Sequence, residues 1–173
     1  MNLPEYEIRL ATSEDVLFLQ DIESAAGDLF LQFEFTAHLA ADSTPLEDFY
    51  EALKDNLLWL AVSSGGHPIG FALVYMLEGA AHLEELAVHP DYGRRGIGEK
   101  LVQAVIDWAR SGKISAVTLT TFRDIPWNAP FYQKLGFRIL EADELTPNLV
   151  RIVDDEEKRG LARELRVVMR RIA

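Results

Sequence analysis

Three glycines at the junction of a strand and a helix constrain this chain more than any other feature. The segment 89–101 reads HPDYGRRGIGEKL and contains Gly93, Gly96 and Gly98. It joins an apolar, strand-like run to an amphipathic helical pattern. A second strand-like run follows the helix at 114–120, so the centre of the chain is predicted to be a βαβ unit. Its two strands should be parallel and its crossover right-handed.

The glycine segment has the chemistry of an anion site. The N–H groups of residues 94–99 should converge at the start of the helix, where the helix dipole favours negative charge. Arg94 and Arg95 add positive charge, so phosphate or pyrophosphate is the natural guest. The spacing matches neither a P-loop nor the dinucleotide fingerprint. A glycine-rich helix start with surface arginines remains the alternative interpretation.

The rest of the chain alternates strands and helices. Strands are predicted at 8–10, 57–63, 69–77, 81–88, 114–120, 137–140 and 165–172. Helices are predicted from Val16 to near Gly27, from Thr44-Pro45 to about Lys54, at 96–110 and 128–135, and from Thr146-Pro147 to near Gly160. Thr12 and Asp15 have the spacing of a capping box. With no repeat or linker, the whole chain, 1–173, is predicted to be a single α+β domain with mixed α/β order.

Charge is unevenly distributed. The net charge is −11, and residues 1–62 alone carry 13 acidic and 2 basic side chains. Nucleic acid is therefore not expected as a partner, nor is a membrane surface. A cationic partner near the first third would be favoured. The alternative is that these acids lie on solvent-facing helix sides.

Composition excludes further classes of site. The chain has no cysteine, so disulfides, thiolate nucleophiles and cysteine-ligated zinc are excluded. No apolar run approaches the length of a membrane span. The N-terminus carries acids where a signal peptide needs basic residues, and a cytoplasmic protein is expected.

Two segments together resemble the GCN5-related N-acetyltransferase superfamily. They are AHLEELAVHPDYGRRGIGEKLV at 81–102 and NAPFYQKLGF at 128–137. The resemblance implies the acyl-CoA N-acyltransferase fold, a central mixed twisted sheet of six or seven strands with helices on both faces. It implies acetyl-CoA as co-substrate, no metal, and loop amides that bind the pyrophosphate. One position departs from the family's loop pattern, because Gly93 stands where Gln or Arg is usual.

The resemblance also implies which residues contact the cofactor. The amides of Leu86 and Val88 correspond to groups that bind the acetyl carbonyl and the pantetheine. Asn128 corresponds to a pantetheine contact, although it can instead cap the helix that follows. The implied cofactor-binding residues are Leu86, Ala87, Val88, Arg94, Arg95, Gly96, Ile97, Gly98, Glu99 and Asn128.

Acetyl transfer by direct attack needs a general base and a general acid. The family's base positions fall on Glu84 and His82, four and six residues before Val88, acting directly or through water. The alternatives are a solvated carboxylate and a hydrogen-bonded core histidine. The motif match makes Tyr132 the acid, because a phenol of pKa ~10 can protonate a thiolate. The alternative is a tyrosine packed in the core.

In the family, the acceptor enters between the first two helices and the loop before the last strand. Candidate wall residues are Phe30, Phe33, Phe35, His38, Phe122, Arg123 and Trp127. Arg123 and Asp124 either orient an acceptor or form a local salt bridge. The acidic excess favours a cationic acceptor: a small amine, a polyamine or a peptide amine.

Three questions stay open at this point. A non-catalytic acyl-CoA-binding module on the same fold is the alternative to an enzyme. Another acyl group, such as succinyl or propionyl, is the alternative to acetyl. A homodimer is possible, with strand 167–172 adding to a sheet edge.

Overall fold

The computed structural model describes residues 5–35 and 43–173. These residues form strands β1 (Tyr6–Leu10), β2 (Leu58–Ser63), β3 (Pro68–Leu77), β4 (Ala80–Val88), β5 (Ala116–Phe122), β6 (Arg138–Ile139) and β7 (Arg166–Ile172). They also form helices α1 (Leu19–Gly27), α2 (Leu46–Lys54), α3 (Ile97–Ser111), α4 (Ala129–Lys134) and α5 (Pro147–Lys158). The predicted mixture of strands and helices is confirmed.

The strands make one seven-stranded mixed sheet in the order β1-β2-β3-β4-β5-β7-β6. β4 and β5 pair in parallel, as the βαβ prediction requires, and β5 and β7 pair antiparallel. β7 also pairs with β6. The expectation that segment 167–172 could add to a sheet edge is wrong, because β7 is hydrogen-bonded on both sides.

Contacts divide the chain into two compact units, and each is described by itself. Unit 1 comprises residues 1–75 and 85–105, and unit 2 comprises residues 76–84 and 106–173. The chain passes between the units within β3, β4 and α3. The helical spacing predicted for α3 is confirmed, because its apolar positions are all buried: Ile97, Leu101, Val105, Ile106 and Ala109.

In unit 1, polar side chains fix the start of the first helical segment. The Asp15 carboxylate accepts two hydrogen bonds from Arg9, at 2.8 and 2.9 Å, and one from the Thr12 N–H at 2.8 Å. The Arg9 guanidinium holds the pKa of Asp15 below its usual value. A 3-10 turn over Val16–Phe18 precedes α1, which ends at Gly27 as predicted.

The cap predicted for α2 at Thr44 is wrong. Pro45 occupies the N-cap position, and no side chain caps the helix. The Thr44 N–H and hydroxyl instead bond to the Glu23 carboxylate of α1, at 2.9 and 2.7 Å. Thr44 therefore fastens α2 to α1. Helix α2 also packs on the sheet: its Phe49 ring lies edge-on against Phe71 of β3, with the ring centroids 5.3 Å apart.

In unit 2, β5 begins two residues later than predicted. The Ile114 N–H bonds to the Ala109 carbonyl at 2.9 Å, and Lys113 has a left-handed φ of 57°. Residues 113 and 114 therefore close the end of α3 instead of extending the strand.

Helix α5 starts as predicted, with Thr146 as N-cap accepting from the Leu149 N–H and Pro147 at the first position. Leu149 and Val153 on this helix pack with Val168 of β7. The strand predicted at 137–140 shortens to the two residues of β6. Among the described residues, no helix is long and apolar enough to cross a membrane.

Candidate functional site

The glycine loop of unit 1 presents a row of backbone donors. A 3-10 turn over Pro90–Tyr92 leads into the loop, and α3 begins at Ile97. The Lys100 N–H is the first to bond back, to the Gly96 carbonyl at 3.0 Å. Within the described part of the chain, the N–H groups of residues 94–99 have no acceptor. Six amides at the positive end of a helix dipole form an anion-binding site.

The backbone conformation of this loop explains why two of its positions are glycine. Gly96 has a φ of +77°, which strains any residue with a side chain, and no described atom lies within 4 Å of the place its Cβ would occupy. Gly93 has an ordinary φ, but a Cβ there would lie 3.1 Å from the Pro90 carbonyl oxygen. The preceding 3-10 turn therefore accounts for glycine at the position where the family pattern has Gln or Arg.

The two loop arginines have different surroundings. The Arg95 guanidinium lies 3.1 Å from the Glu5 carboxylate and 5.6 Å from the Tyr92 ring centroid. Arg94 is exposed, has a φ of 58°, and forms no ion pair with any described residue. Arg94 is therefore the loop cation available to a bound anion.

Strand β4 carries the other predicted cofactor contacts, with Ala87 buried and Leu86 and Val88 half-buried. The His89 N–H bonds to the Ile69 carbonyl of β3 at 2.9 Å. Because neighbouring N–H groups alternate in direction along a strand, the Val88 N–H points away from β3. β4 pairs with β5 in parallel at Ala81–Val117 and His82–Thr118, well before β4 ends.

Gly70 helps to position this strand, which was not predicted from the sequence. A Cβ on Gly70 would lie 2.9 Å from the Ala87 carbonyl oxygen and 3.2 Å from the Val88 side chain. β3 and β4 can approach this closely in unit 1 because residue 70 has no side chain. The available signal was a lone glycine inside an apolar strand, which indicates a close backbone approach.

In unit 2, His82 has the environment of a core histidine. Its side chain is 1% exposed, and Nδ1 lies 2.9 Å from the Thr118 hydroxyl. Burial lowers the pKa of His82 to about 4, although the Glu156 carboxylate opposes the shift. The imidazole is therefore neutral at pH 7 and is a weak base.

Glu84 lies on the same face of β4 and is accessible. Its side chain is 42% exposed, and its Oε2 lies 4.0 Å from His82 Nε2. An accessible carboxylate can exchange protons with solvent, which a general base must do in each cycle. The neighbouring Glu85 is half-buried.

Tyr132 is buried on α4 and is held by aromatic contacts. Its ring centroid lies 5.0 Å from that of Phe131 and 5.7 Å from that of Phe137, both edge-on. Gly136, with a φ of +86°, turns the chain so that the Phe137 N–H bonds to the Tyr132 carbonyl at 3.1 Å. The spacing of this Phe-Tyr-x-x-x-Gly-Phe motif therefore fixes the tyrosine ring.

Asn128 anchors α4 to β5. Its side chain is buried, and its Oδ1 accepts hydrogen bonds from the Thr121 hydroxyl at 2.8 Å and the Phe122 N–H at 3.3 Å. Two donors fix this atom as the carbonyl oxygen and leave the Nδ2 amide as the donor group. Asn128 occupies the N-cap position, but its side chain does not cap the helix.

The predicted acceptor-wall residues are distributed over both units. In unit 1, Phe30 and Phe33 are half-buried, and the Phe33 ring lies 5.7 Å from that of Phe35. His38 lies outside the described residues.

In unit 2, Trp127 is 38% exposed, and Arg123 and Asp124 are exposed without pairing with each other. Phe122 is a poor wall residue, because its ring is buried beneath the Arg166 guanidinium at 4.6 Å. That guanidinium also binds the buried Glu156 carboxylate in two hydrogen bonds of 2.8 and 3.1 Å. Nothing in the local sequence pattern indicated this ion pair.

This chain is similar in sequence to known proteins and similar in fold to solved structures. The family model described as the acetyltransferase (GNAT) family matches residues 23–137, more than half of the chain. The peptidyl-lysine N-acetyltransferase YjaB of Escherichia coli is 29% identical over 103 residues, which are 59% of this chain and 64% of that protein. Its counterpart in Salmonella typhimurium is 30% identical over 54% of this chain and 58% of that protein. The chain thus matches less than two thirds of the length of these curated relatives.

Among solved structures, the PaiA N-acetyltransferase of Thermoplasma acidophilum, in complex with coenzyme A, has a similar fold. The TM-score is 0.71 at 18% sequence identity, and the alignment covers 97% of this chain and 99% of that one. At this identity the likeness establishes the fold.

Proposed function

The chain belongs to the acetyltransferase (GNAT) family, and we propose that it transfers an acetyl group from acetyl-CoA to a primary amine. The observation that carries this proposal is the row of six amides without acceptors at residues 94–99. A pyrophosphate needs several converging donors and little side-chain bulk, and the loop offers both. The residues present therefore fit coenzyme A.

The proposed cofactor contacts follow from the two backbone segments. The N–H groups of residues 94–99 hold the pyrophosphate, with Arg94 adding charge beside them. Arg95 contributes less, because its guanidinium is paired with Glu5. The N–H groups at the end of β4, those of Leu86 and Val88, hold the pantetheine and the acetyl carbonyl. The Nδ2 amide of Asn128 is a further donor to the pantetheine.

Bound acetyl-CoA supplies a thioester carbonyl that an amine nitrogen can attack, forming the new C–N bond as the C–S bond breaks. We assign the attacking amine's proton to the Glu84 carboxylate. His82 is the less suitable base, because burial lowers its pKa to about 4. Its neutral ring, 4.0 Å from Glu84, serves instead to position that carboxylate. The Tyr132 hydroxyl gives its proton to the leaving thiolate.

We propose that the acceptor is a cationic amine, such as a lysine side chain in a basic peptide. The acidic excess of residues 1–62 supports this choice, although Asp15 and Glu23 are engaged with Arg9 and Thr44. The two YjaB relatives are named peptidyl-lysine N-acetyltransferases, which also favours a peptide amine. Phe30, Phe33, Arg123 and Trp127 are the proposed acceptor contacts.

The test is release of free CoA thiol from acetyl-CoA in the presence of small amines, polyamines and basic peptides. Calorimetric titration of acetyl-CoA alone should first show that the cofactor binds. Acceptor-dependent thiol release would support the transferase. Tight binding without release for any acceptor would favour the non-catalytic module. Faster thiol release from propionyl-CoA or succinyl-CoA than from acetyl-CoA would show that the transferred group is not acetyl.

A further inference from the structure

Unit 2 contains a cavity that none of the candidate site residues lines. Its volume is about 320 Å³, within the range of small-molecule sites. It lies between the β3–β4 turn, the start of β5, the end of β7 and the first turn of α5. Its walls are mainly apolar, from Leu77, Ala80, Ala116, Leu149 and Ile172.

Arg170 lines the cavity, and its ion pair with Glu144 is long. The Arg170 Nε–H is buried and has no hydrogen-bond acceptor among the described residues. The Glu144 carboxylate lies 3.7 Å from a terminal nitrogen of Arg170. Glu144 already accepts two hydrogen bonds from Arg138, at 2.6 and 2.9 Å. The Nε–H itself is closed to a ligand, but the Arg170 side chain is 32% exposed and its ion pair with Glu144 is long, so the terminal nitrogens of the guanidinium are the donors that a ligand carboxylate would take up.

The other polar groups of the wall narrow the ligand class. Thr118, Thr146 and Ser115 contribute hydroxyls, while Glu78 adds a carboxylate that accepts a hydrogen bond from Thr146. A doubly charged anion such as phosphate would face a single cation and would be repelled by Glu78 more strongly than a singly charged carboxylate. A planar carboxylate suits a single guanidinium, and the apolar wall suits a short hydrocarbon chain.

We propose that this cavity binds a small aliphatic carboxylate, with its carboxylate on Arg170 and its chain against the apolar wall. Thr118 joins the cavity to the β4 face that carries the proposed base. Its hydroxyl lies 2.9 Å from His82 Nδ1, and His82 Nε2 lies 4.0 Å from Glu84. A ligand that bonds to Thr118 would change the hydrogen bond that holds the His82 ring. The binding site itself does not depend on the proposed transferase activity.

The test is an NMR titration of the full chain with butyrate, following the backbone amides of Thr118, Leu149 and Arg170. Butyrate should shift these signals saturably. Butanol, which has the same carbon chain without the charge, should not. Arg170→Gln should raise the Kd for butyrate by about tenfold or more, as expected for a lost charged hydrogen bond. Arg170→Lys keeps the charge without the fork and should give an intermediate Kd.

Arg171→Gln is the matched control, because neighbouring residues of a strand face opposite sides of the sheet. It should leave the butyrate Kd unchanged. Three results would overturn the proposal: no saturable shift at these residues, the same Kd in both Arg170 variants as in the wild type, or tighter binding of inorganic phosphate than of butyrate. The Arg170→Lys variant and the phosphate titration decide the matter even where Arg170→Gln does not fold.

Discussion

At the scale of single residues, three different constraints fix the candidate groups. The positive φ at residue 96 requires glycine. Two aromatic rings hold the Tyr132 ring in place, and burial keeps the His82 ring neutral. Each constraint can be removed by one substitution that leaves the others in place.

Tyr132→Phe should keep the ring contacts with Phe131 and Phe137 and remove only the hydroxyl. If that hydroxyl protonates the thiolate, kcat should fall by about 10²–10⁴-fold, the usual contribution of a general acid. The Kd for acetyl-CoA should change little. Thiol-release kinetics and calorimetry measure the two quantities. Tyr50→Phe, at an exposed tyrosine of α2, is the control, and equal kcat in both variants would remove Tyr132 from the mechanism.

Gly96→Val should weaken acetyl-CoA binding by more than about tenfold. A branched side chain at a φ of +77° strains the loop, and its methyl groups enter the open space beside the amides. Gly66→Val is the control, because Gly66 has a φ of +82° and equally open surroundings in the β2–β3 turn. It should cost similar stability and leave the acetyl-CoA Kd unchanged. Equal affinities for the two variants would contradict the loop assignment.

His82 should make folding stability depend on pH. Its folded pKa is about 4, below the ordinary value of ~6.5, so the unfolded chain binds more protons between these values. Stability from this group is complete above pH ~6.5 and is lost as the pH falls towards 4, by roughly 3 kcal/mol in all. Urea unfolding at pH 7 and pH 5 should show a smaller loss for His82→Gln. The exposed His67→Gln is the control, and an undiminished loss in His82→Gln would contradict this account.

At the scale of elements, the cofactor segments are positioned by close packing and short-range caps. Gly70 lets β3 approach Ala87 and Val88 in unit 1, and Asn128 fixes the start of α4 against β5 in unit 2. These contacts lie outside the loop and the tyrosine motif, but they position the end of β4, which leads into the loop, and the start of α4, which carries Tyr132.

Gly70→Ala should both destabilise the fold and weaken cofactor binding. The added Cβ would stand 2.9 Å from the Ala87 carbonyl oxygen, so β4 must shift, at a cost of about 1–3 kcal/mol. Urea unfolding and acetyl-CoA calorimetry measure the two effects. Gly27→Ala is the control, because Gly27 ends α1 with a φ of −60° and nothing within 4 Å of its missing Cβ. A Gly70→Ala protein as stable as Gly27→Ala would refute the packing argument.

The features that could be predicted from the sequence are those whose interacting residues lie close together along the chain. The glycine loop, α3 and the tyrosine motif depend on residues within one or two turns of each other, so local spacing was sufficient. Thr44 was mistaken for a helix cap because its true partner, Glu23, lies 21 residues earlier. The effect of Gly70 on Ala87 and the pairing of Glu156 with Arg166 depend on tertiary packing. Local sequence patterns do not indicate contacts between residues that are far apart in the sequence.

At the scale of the whole molecule, charge is the property most relevant to the acceptor. The surplus of 11 negative charges in residues 1–62 equals the net charge of the chain. Asp15 and Glu23 are committed to structural bonds, but exposed acids such as Glu14 and Glu34 remain. Such a field raises the local concentration of cations and weakens with added salt.

A lysine in a basic peptide should therefore be acetylated with a higher kcat/KM than the same lysine in an acidic peptide of equal length. The ratio should shrink as ionic strength rises through the physiological range. The double variant Glu14→Gln with Glu34→Gln should reduce the preference, whereas Glu164→Gln, at an exposed acid of unit 2, should not. If the ratio of the two kcat/KM values changes neither with ionic strength nor in these variants, the acidic surface is not the source of the preference.

Whether this chain acetylates amines is tested most simply by following labelled acetyl from acetyl-CoA to a basic lysine peptide, together with the thiol released. Label should appear on the peptide in equal amount to the free thiol, with both reduced by Tyr132→Phe and Gly96→Val and neither reduced by Tyr50→Phe. Thiol release without label on the peptide would mean hydrolysis. Binding of acetyl-CoA with neither product would contradict the assignment of this chain as an acetyltransferase of amines.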